Sequence, residues 1–180
     1  MSSRVSDRLV VRDASERDAA SCAAIYAPYV LETAITFESD PPSAEEMARR
    51  IVAANRGHAW LVVEDEGRVV GYAYGGPFHR RAAYRWACEV SVYLELGRRR
   101  TGGGRLLYTA LLRRLTERGY RVALAGMTLP NEASVGLHRA MGFVEVGTYR
   151  RIGFKHGAWH DVAWTQRFLP GGEDPPGEPS

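Results

Sequence analysis

At 180 residues, with 45% hydrophobic and 25% charged residues, the chain suits one compact domain that buries a core without disulfide or metal staples, and neither a disordered nor a fibrous protein. Its 24 basic and 21 acidic residues leave a formal charge of +3; they are interspersed, and only Arg98-Arg99-Arg100 forms a dense basic run, which disfavours a nucleic-acid partner. Two cysteines, Cys22 and Cys88, suit a reducing compartment, and with neither a long apolar stretch nor a signal-peptide core the sequence predicts a soluble, cytoplasmic protein with no membrane partner.

In chain order, residues 9–12 read as a short strand, and Ser15-Glu16-Arg17-Asp18 resembles a capping box opening a helix to Val30. Ser43 with Glu46 opens a second helix to about Asn55, stopped by Gly57. Between them residues 32–42 form a loop with the apolar Ile35 and Phe37. Residues 60–64 and 69–74 pair as a hairpin around Glu66-Gly67, and a polar, aromatic loop follows at residues 77–85. Residues 86–94 are the strongest strand: Trp86, Cys88, Val90, Val92 and Leu94 alternate with Ala87, Glu89, Ser91 and Tyr93. After Gly102, Gly103 and Gly104, helical spacing runs through Leu106, Leu107, Ala110, Leu111 and Leu115 to Gly119. A strand at 122–129, a helix at 131–141 ended by Gly142, and closing strands at 143–152 and 159–168 complete the order. Residues 9–169 are thus one domain, with a flexible N-terminus at 1–8 and a disordered Gly/Pro/Glu tail at 170–180. The fold class is α/β (α+β) on a mixed, mostly antiparallel sheet.

Consecutive glycines let a backbone approach a ligand, and a helix start presents free N–H groups and the positive end of its dipole. Arg99-Arg100-Thr101-Gly102-Gly103-Gly104 therefore suits a pyrophosphate; a plain surface loop is the alternative. No Gly-Lys-Ser/Thr follows, which excludes a P-loop, and the G-x-G-x-x-G spacing of a dinucleotide site is absent. Glu89 reads either as a general base or as a strand glutamate in an ion pair. Asn131, Ser134 and His138 share a polar stripe beside a core face of Ala133, Leu137, Ala140 and Met141. Asn131 is a ligand contact or a helix cap, and His138 a proton-transfer group or one that satisfies a neighbour. Tyr108 acts on a leaving group or packs in its helix. His79-Arg80-Arg81 with Tyr84 offers cations to an acidic substrate unless the loop is simply solvated. Cys88 falls on the buried face, and His156, His160 and Asp161 lack a metal-ligand spacing, so neither a thiol nucleophile nor a metal is expected.

Residues 99–104 resemble the Arg/Gln-x-x-Gly-x-Gly/Ala motif of the GNAT acetyltransferases. More narrowly, Ala83-Tyr84-Arg85-Trp86, Glu89 with Ser91-Val92-Tyr93, Leu129-Pro130-Asn131 with Ser134, and Gly153-Phe154-Lys155-His156-Gly157 with Trp159-His160-Asp161-Val162 resemble the phosphinothricin N-acetyltransferases over residues 10–168. The resemblance implies a GNAT-type fold with helices on both faces of the sheet and acetyl-CoA as co-substrate without a metal. It implies acetyl-CoA contacts at Val92, Tyr93, Leu94, Arg99, Arg100, Thr101, Gly102, Gly103, Gly104, Arg105, Asn131 and Ser134, and catalytic roles for Glu89, His138 and Tyr108. Acceptor contacts fall on Phe37, His79, Arg80, Arg81, Tyr84, Glu89, Val90, Ser91 and Thr128. The implied acceptor is a small amino acid analogue of phosphinothricin type, with methionine sulfoximine or sulfone as alternatives. A catalytically silent coenzyme A sensor is the reading from another class. A homodimer is expected, closed through the strands that carry Trp159 and Trp164. The departures are Gly103 where the family often has an apolar residue, His79-Arg80-Arg81 in place of a Lys-Ala-Arg type loop, and Thr128 where glycine can stand.

Overall fold

In the computed structural model, which describes residues 9–98, 100–171 and 177–180, the two helix-opening signals act by different atoms. Ser43 Oγ accepts from the Glu46 N–H at 3.1 Å and starts α2 (Ala44–Gly57). At Ser15 the contribution comes from Asp18, whose carboxylate accepts from the Ser15 N–H at 2.8 Å; a 3-10 turn, Glu16–Asp18, precedes α1 (Ala19–Glu32). The strands are β1 (Leu9–Asp13), β2 (Trp60–Asp65), β3 (Arg68–Pro77), β4 (Ala87–Leu94), β5 (Val122–Thr128), β6 (Val144–Lys155) and β7 (Ala158–Phe168). Two further helices, α3 (Gly103–Glu117) and α4 (Glu132–Ala140), flank β5 in the chain.

The seven strands form one sheet in the order β1-β2-β3-β4-β5-β7-β6. Every neighbouring pair is antiparallel except β4 and β5, which lie parallel. Alternation along the central strands sends side chains to opposite faces, and each face has its own core. On one, Leu61, Val63, Ala73, Cys88, Val90, Ala123 and Ala125 pack against Leu107, Tyr108, Leu111 and Leu115 of α3. On the other, Trp60, Val62 and Tyr72 pack against Cys22, Ile25, Tyr26 and Val30 of α1 and Met47 and Ile51 of α2. The fold is thus the expected mixed sheet with helices on both faces.

The expected flexible segment 1–8 and residues 172–176 of the tail lie outside the described residues. The expectation of a tail with nothing to pack against does not hold for its last four residues. Trp86 Nε1 donates to Gly177 O at 2.8 Å, and Ser180 exchanges backbone and guanidinium hydrogen bonds with Arg118. Among the described residues, no helix is long and apolar enough to cross a membrane.

Leu111 is fully buried under the sheet. Leu111→Ala is expected to cost about 2–5 kcal/mol of stability, read as a lower denaturant midpoint at unchanged slope.

Candidate active site

The one parallel pairing is short. Ala87, Cys88 and Glu89 pair with Val122, Ala123 and Leu124, whereas β4 stays paired with β3 as far as Leu94. From Val90 onward the two strands part. Glu95 donates its N–H to Val70 O on β3, so by antiparallel alternation the odd residues of β4 bond β3, and past the last pairing with Leu124 the backbone groups of Val92 turn to the opening. β5 meanwhile pairs with β7 along its whole length. The result is a wedge with unpaired strand backbone on one side, suited to an extended, amide-bearing ligand arm.

At the end of β4 the chain makes a tight turn into α3. Gly97, Arg100 and Gly102 take positive φ angles of 90°, 59° and 84°, a conformation that glycine adopts without strain. Leu106 N–H bonds Gly102 O, which leaves the N–H groups of Gly103, Gly104 and Arg105 ahead of the first helical acceptor. This is an anion-binding helix start. Gly104 also permits close helix packing, since a Cβ there would lie 3.2 Å from Leu137 Cδ2 of α4. Of the arginine run, Arg98 is committed to a brace, donating to Asp65 and Glu95 at 2.9 and 3.1 Å. Arg99 lies outside the described residues, and Arg100 and Arg105 are exposed. Asn131 accepts from the Ser134 N–H at 3.2 Å, so its side-chain oxygen caps α4. The Tyr93 ring is wedged between Tyr26 and Tyr29 of α1, and Leu94 packs against the α3 core.

Glu89 sits at the apex of the wedge, on the last residue paired with β5. It forms no hydrogen bond or ion pair among the described residues. Burial holds its carboxyl above the usual glutamate value. Beside it, burial also raises the Tyr74 phenol, which bonds Ser91, the residue it faces across β3 and β4.

The expected polar stripe on α4 is corrected. Ala133 and Ala140 are exposed, while His138 turns into the core at 3% exposure. Its Nδ1 lies 2.7 Å from Ser134 O and its Nε2 2.9 Å from the Tyr108 hydroxyl. A carbonyl only accepts, so Nδ1 carries the proton, Nε2 accepts, and Tyr108 donates. Burial lowers the His138 pKa, with the Ser134 carbonyl opposing, and burial raises that of fully enclosed Tyr108. Helical spacing misassigned His138 because its polar atoms are satisfied inside the core. Cys88 is buried, and burial pushes its thiol up to about 12, which leaves it protonated and unreactive at neutral pH.

Apart from those on β4, the predicted acceptor residues fall in two groups, Phe37 with Thr128 and His79, Arg80 and Arg81 with Tyr84. Phe37 is 42% exposed and stands over Gly153, with its ring centroid 6.2 Å from that of His160. Thr128 Oγ1 lies 3.5 Å from Ile35 O in the same loop. His79, Arg80, Arg81 and Tyr84 are exposed, with the Tyr84 ring against His79 and Phe78, and Phe78 against Trp164. Neither Arg80 nor Arg81 forms an ion pair among the described residues. Sequence reasoning missed Tyr74 and the group that anchors the Phe37 loop: Tyr26, Glu38, Arg50 and Lys155. Tyr74 was legible as an alternating strand residue facing Ser91; the anchors, far apart in sequence, were not. A hollow lined by Thr109, Leu112, Met141 and Leu169 lies between α3 and the end of β7, and none of the predicted site residues borders it. Among the described residues, no group of three or more His, Cys, Asp or Glu could hold a metal.

A splayed strand pair closed by a glycine turn on a helix start is built for a long ligand with a phosphate tail. The profile of the GNAT acetyltransferase domain matches residues 11–164. The phosphinothricin N-acetyltransferase of Streptomyces viridochromogenes is 38% identical over 157 residues, 87% of this chain and 86% of that one. The L-methionine sulfoximine/L-methionine sulfone acetyltransferase of Salmonella typhimurium is 32% identical over 88% of this chain and 93% of its own. A phosphinothricin acetyltransferase from Sinorhizobium meliloti, solved in complex with AcCoA, superposes with a TM-score of 0.88 at 39% identity, covering 96% of this chain and 94% of that one. The chain therefore belongs to the GNAT acetyltransferase family, and it is an acetyltransferase.

Gly102→Val, which forces a β-branched residue to a φ of 84°, is expected to weaken acetyl-CoA binding about tenfold or more. Gly104→Val, by displacing Leu137, should do the same. Unchanged calorimetric affinity in both variants would remove this turn from the donor site.

Proposed function

We propose that the chain transfers an acetyl group from acetyl-CoA to the primary amine of a small, anionic amino acid analogue of phosphinothricin type, with Glu89 as the general base. Acetyl-CoA supplies the acetyl group as a thioester. Val92 to Leu94 would hold its arm along the open edge of β4, and the N–H groups of residues 102–105, with Asn131 and Ser134 nearby, its phosphates. The observation that carries the reading is Glu89 itself: a half-buried carboxylate without a partner, its pKa raised by burial, at the point where β4 and β5 part. Such a group takes a proton from an ammonium more readily than an ordinary glutamate. Glu89 takes one proton from the ammonium; the amine nitrogen then bonds the acetyl carbon, the carbon–sulfur bond breaks, and the second proton shed by the nitrogen goes to the departing thiolate. The N–H group of Val92 faces the opening and is a donor for the charge that develops on the carbonyl oxygen. Tyr108 and His138 act as a buried prop beneath the wedge, since the Tyr108 proton is committed to His138.

Arg80, Arg81 and Tyr84 are matched to an acceptor carboxylate or phosphinate, because guanidinium donors meet two oxygens at once. The relatives named for phosphinothricin and for methionine sulfoximine or sulfone support this acceptor class. A silent coenzyme A sensor would have no use for a partnerless, desolvated carboxylate.

A homodimer accompanies this reading. β6 ends the sheet, and Val144, Val146, Tyr149, Ile152 and Phe154 along it, with Trp159 on β7, are 53–61% exposed. A monomer rarely leaves such a patch open. Trp164 is half-buried against Gly126 and Phe78, so Trp159 alone of the two tryptophans is available to an interface. Light scattering should give twice the 20.0 kDa chain mass, and Tyr149→Glu with Ile152→Glu should return it to one chain. A single-chain mass for the unaltered protein would remove the dimer.

Glu89→Gln should lower turnover about 10²–10⁴-fold with acetyl-CoA affinity unchanged, and its residual rate should climb at high pH as more amine becomes free. The sign of the stability effect separates a base from an ion pair. A carboxyl whose pKa is raised on folding destabilises the fold above that pKa, so Gln at this position should leave the neutral-pH melting temperature equal or higher. The activity of the unaltered enzyme should fall on the acid side at a pH above the ordinary glutamate value of about 4.3. Near-normal turnover at neutral pH in folded Glu89→Gln would remove Glu89 from the mechanism.

A further inference from the structure

The block Gly153-Phe154-Lys155-His156-Gly157 belongs to neither the donor wedge nor the base. Two of its residues, Gly153 and Lys155, contact the loop of residues 33–40 that carries Phe37. Lys155 Nζ donates to Val30 O at 2.7 Å and to Thr36 O at 2.8 Å. Val30 lies in the last turn of α1, where carbonyls lack helical partners and a cation is favoured. The last turn of α1 has no basic residue of its own. Lys155, 125 positions away in sequence, supplies the charge. Two residues earlier, Gly153 leaves the space in which the Phe37 ring sits: a Cβ there would lie 2.2 Å from Phe37 Cε2. Across the hairpin from Gly153, His160 Nε2 donates to Lys155 O at 3.0 Å and turns its ring toward Phe37.

On the opposite side the same loop is tied to the helices. Arg50 donates to both oxygens of Glu38 at 3.0 and 2.6 Å, and the Tyr26 hydroxyl donates to Glu38. Tyr26 has one proton, so Thr36 Oγ1, 2.6 Å away, donates to Tyr26. The Arg50 hydrogen bonds, ahead of burial, hold the Glu38 carboxyl below its usual value. These ties fix Thr36 and Glu38 from α1 and α2, while on the Phe37 side the β6–β7 hairpin grips the loop and Thr128 of β5 reaches Ile35 O.

We propose that Lys155 is a positioning residue for the acceptor: it fastens the 33–40 loop to the end of α1 so that Phe37 is held over Gly153 as a wall of the acceptor pocket. The inference rests on the acceptor reading of Phe37. Lys155 itself does not touch the acceptor, because two of its three protons are spent on the carbonyls of residues 30 and 36.

The test compares the unaltered protein with Lys155→Met, Lys155→Arg and Gly153→Ala, using L-phosphinothricin and L-methionine sulfone as acceptors with acetyl-CoA. Lys155→Met should raise the acceptor KM about tenfold while the acetyl-CoA KM stays within about twofold. Lys155→Arg, which keeps a cation able to reach a carbonyl, should recover most of the loss. Gly153→Ala, which displaces the Phe37 ring while leaving Lys155 in place, should raise the acceptor KM as well. In parallel, amide hydrogen exchange should quicken in residues 33–40 of Lys155→Met and stay unchanged in β4 and α3. A raised acceptor KM with unchanged exchange would mean that Lys155 binds the acceptor directly, and would overturn the proposal. So would faster exchange with an unchanged KM. If the unaltered enzyme acetylates neither analogue, the acceptor reading falls by itself, and the exchange comparison alone upholds or overturns the latch.

Discussion

The parting of β4 from β5 after Glu89 is the constraint on which the rest of the molecule depends. Arg121 and Val122 both donate to Trp86 O, which brings the two strands together at their first residues; three residue pairs later they separate. Beyond that point β4 keeps its pairing with β3 and β5 its pairing with β7, each on its outer edge, while the two facing edges stay unpaired. An unpaired strand edge inside a protein normally costs free energy unless something covers it. Here α3 fills the wedge from one face, with Leu107, Leu111 and Leu115 meeting Val63 and Val90 on one half of the sheet and Ala123 and Ala125 on the other. The backbone of Val92 is left open, and the helix that covers the wedge also starts beside it, at the glycine turn that follows β4.

Charge around the wedge follows a division. Asp18 and Glu64 share Arg12, Glu38 holds Arg50, and Glu95 and Asp65 hold Arg98. Hydrogen bonds from Arg12 and Arg50 depress the carboxyl pKa of Asp18 and Glu38, and those from Arg68 first and Arg98 after it depress that of Glu95. Glu89 is displaced the other way, by burial alone. In a chain with 24 basic residues, a carboxylate without a cation within reach is held apart by the fold: its strand is central, and its neighbours Tyr74 and Ser91 are neutral. The arginine-held acids fix loops, and the bare one is free to exchange a proton.

Most of the architecture was legible in the sequence, since it depends on short-range physics. Alternation along residues 86–94 marked β4, the Ser43 and Glu46 pair marked α2, and the glycines at 102, 119 and 142 marked helix ends. The donor turn was legible for the same reason, being contiguous. What escaped was set by contacts across long stretches of chain. His138 looked like part of a polar stripe because spacing counts a histidine as polar, whereas Tyr108, 30 residues away, and Ser134 satisfy both its nitrogens inside the core. The run at 98–100 read as one dense basic stretch, but Asp65 on another strand holds Arg98 in a brace of its own. Lys155 carried a family signature without a visible purpose, because its partners are the carbonyls of residues 30 and 36, which have no side-chain identity to read.

The two ends of the wedge are fastened by separate sets of contacts, and this separation bears on how one scaffold serves different acceptors. The donor end is braced by Arg98 with Asp65 and Glu95, and by the packing of Gly104 on Leu137. The acceptor end is bounded by the 33–40 loop, the 77–85 loop and Thr128, held through Lys155, Arg50 and the Phe78–Trp164 contact. Apart from Gly103, the departures from the family pattern, at His79-Arg80-Arg81 and at Thr128, fall at the acceptor end. Among these contacts no bonded side chain is shared between the two sets. Fold and donor chemistry are thus common to the family, whereas specificity is carried by loops mounted on it. The sheet fixes Glu89, at the apex, through its pairing with Gly76 on β3 and Leu124 on β5 rather than through either loop.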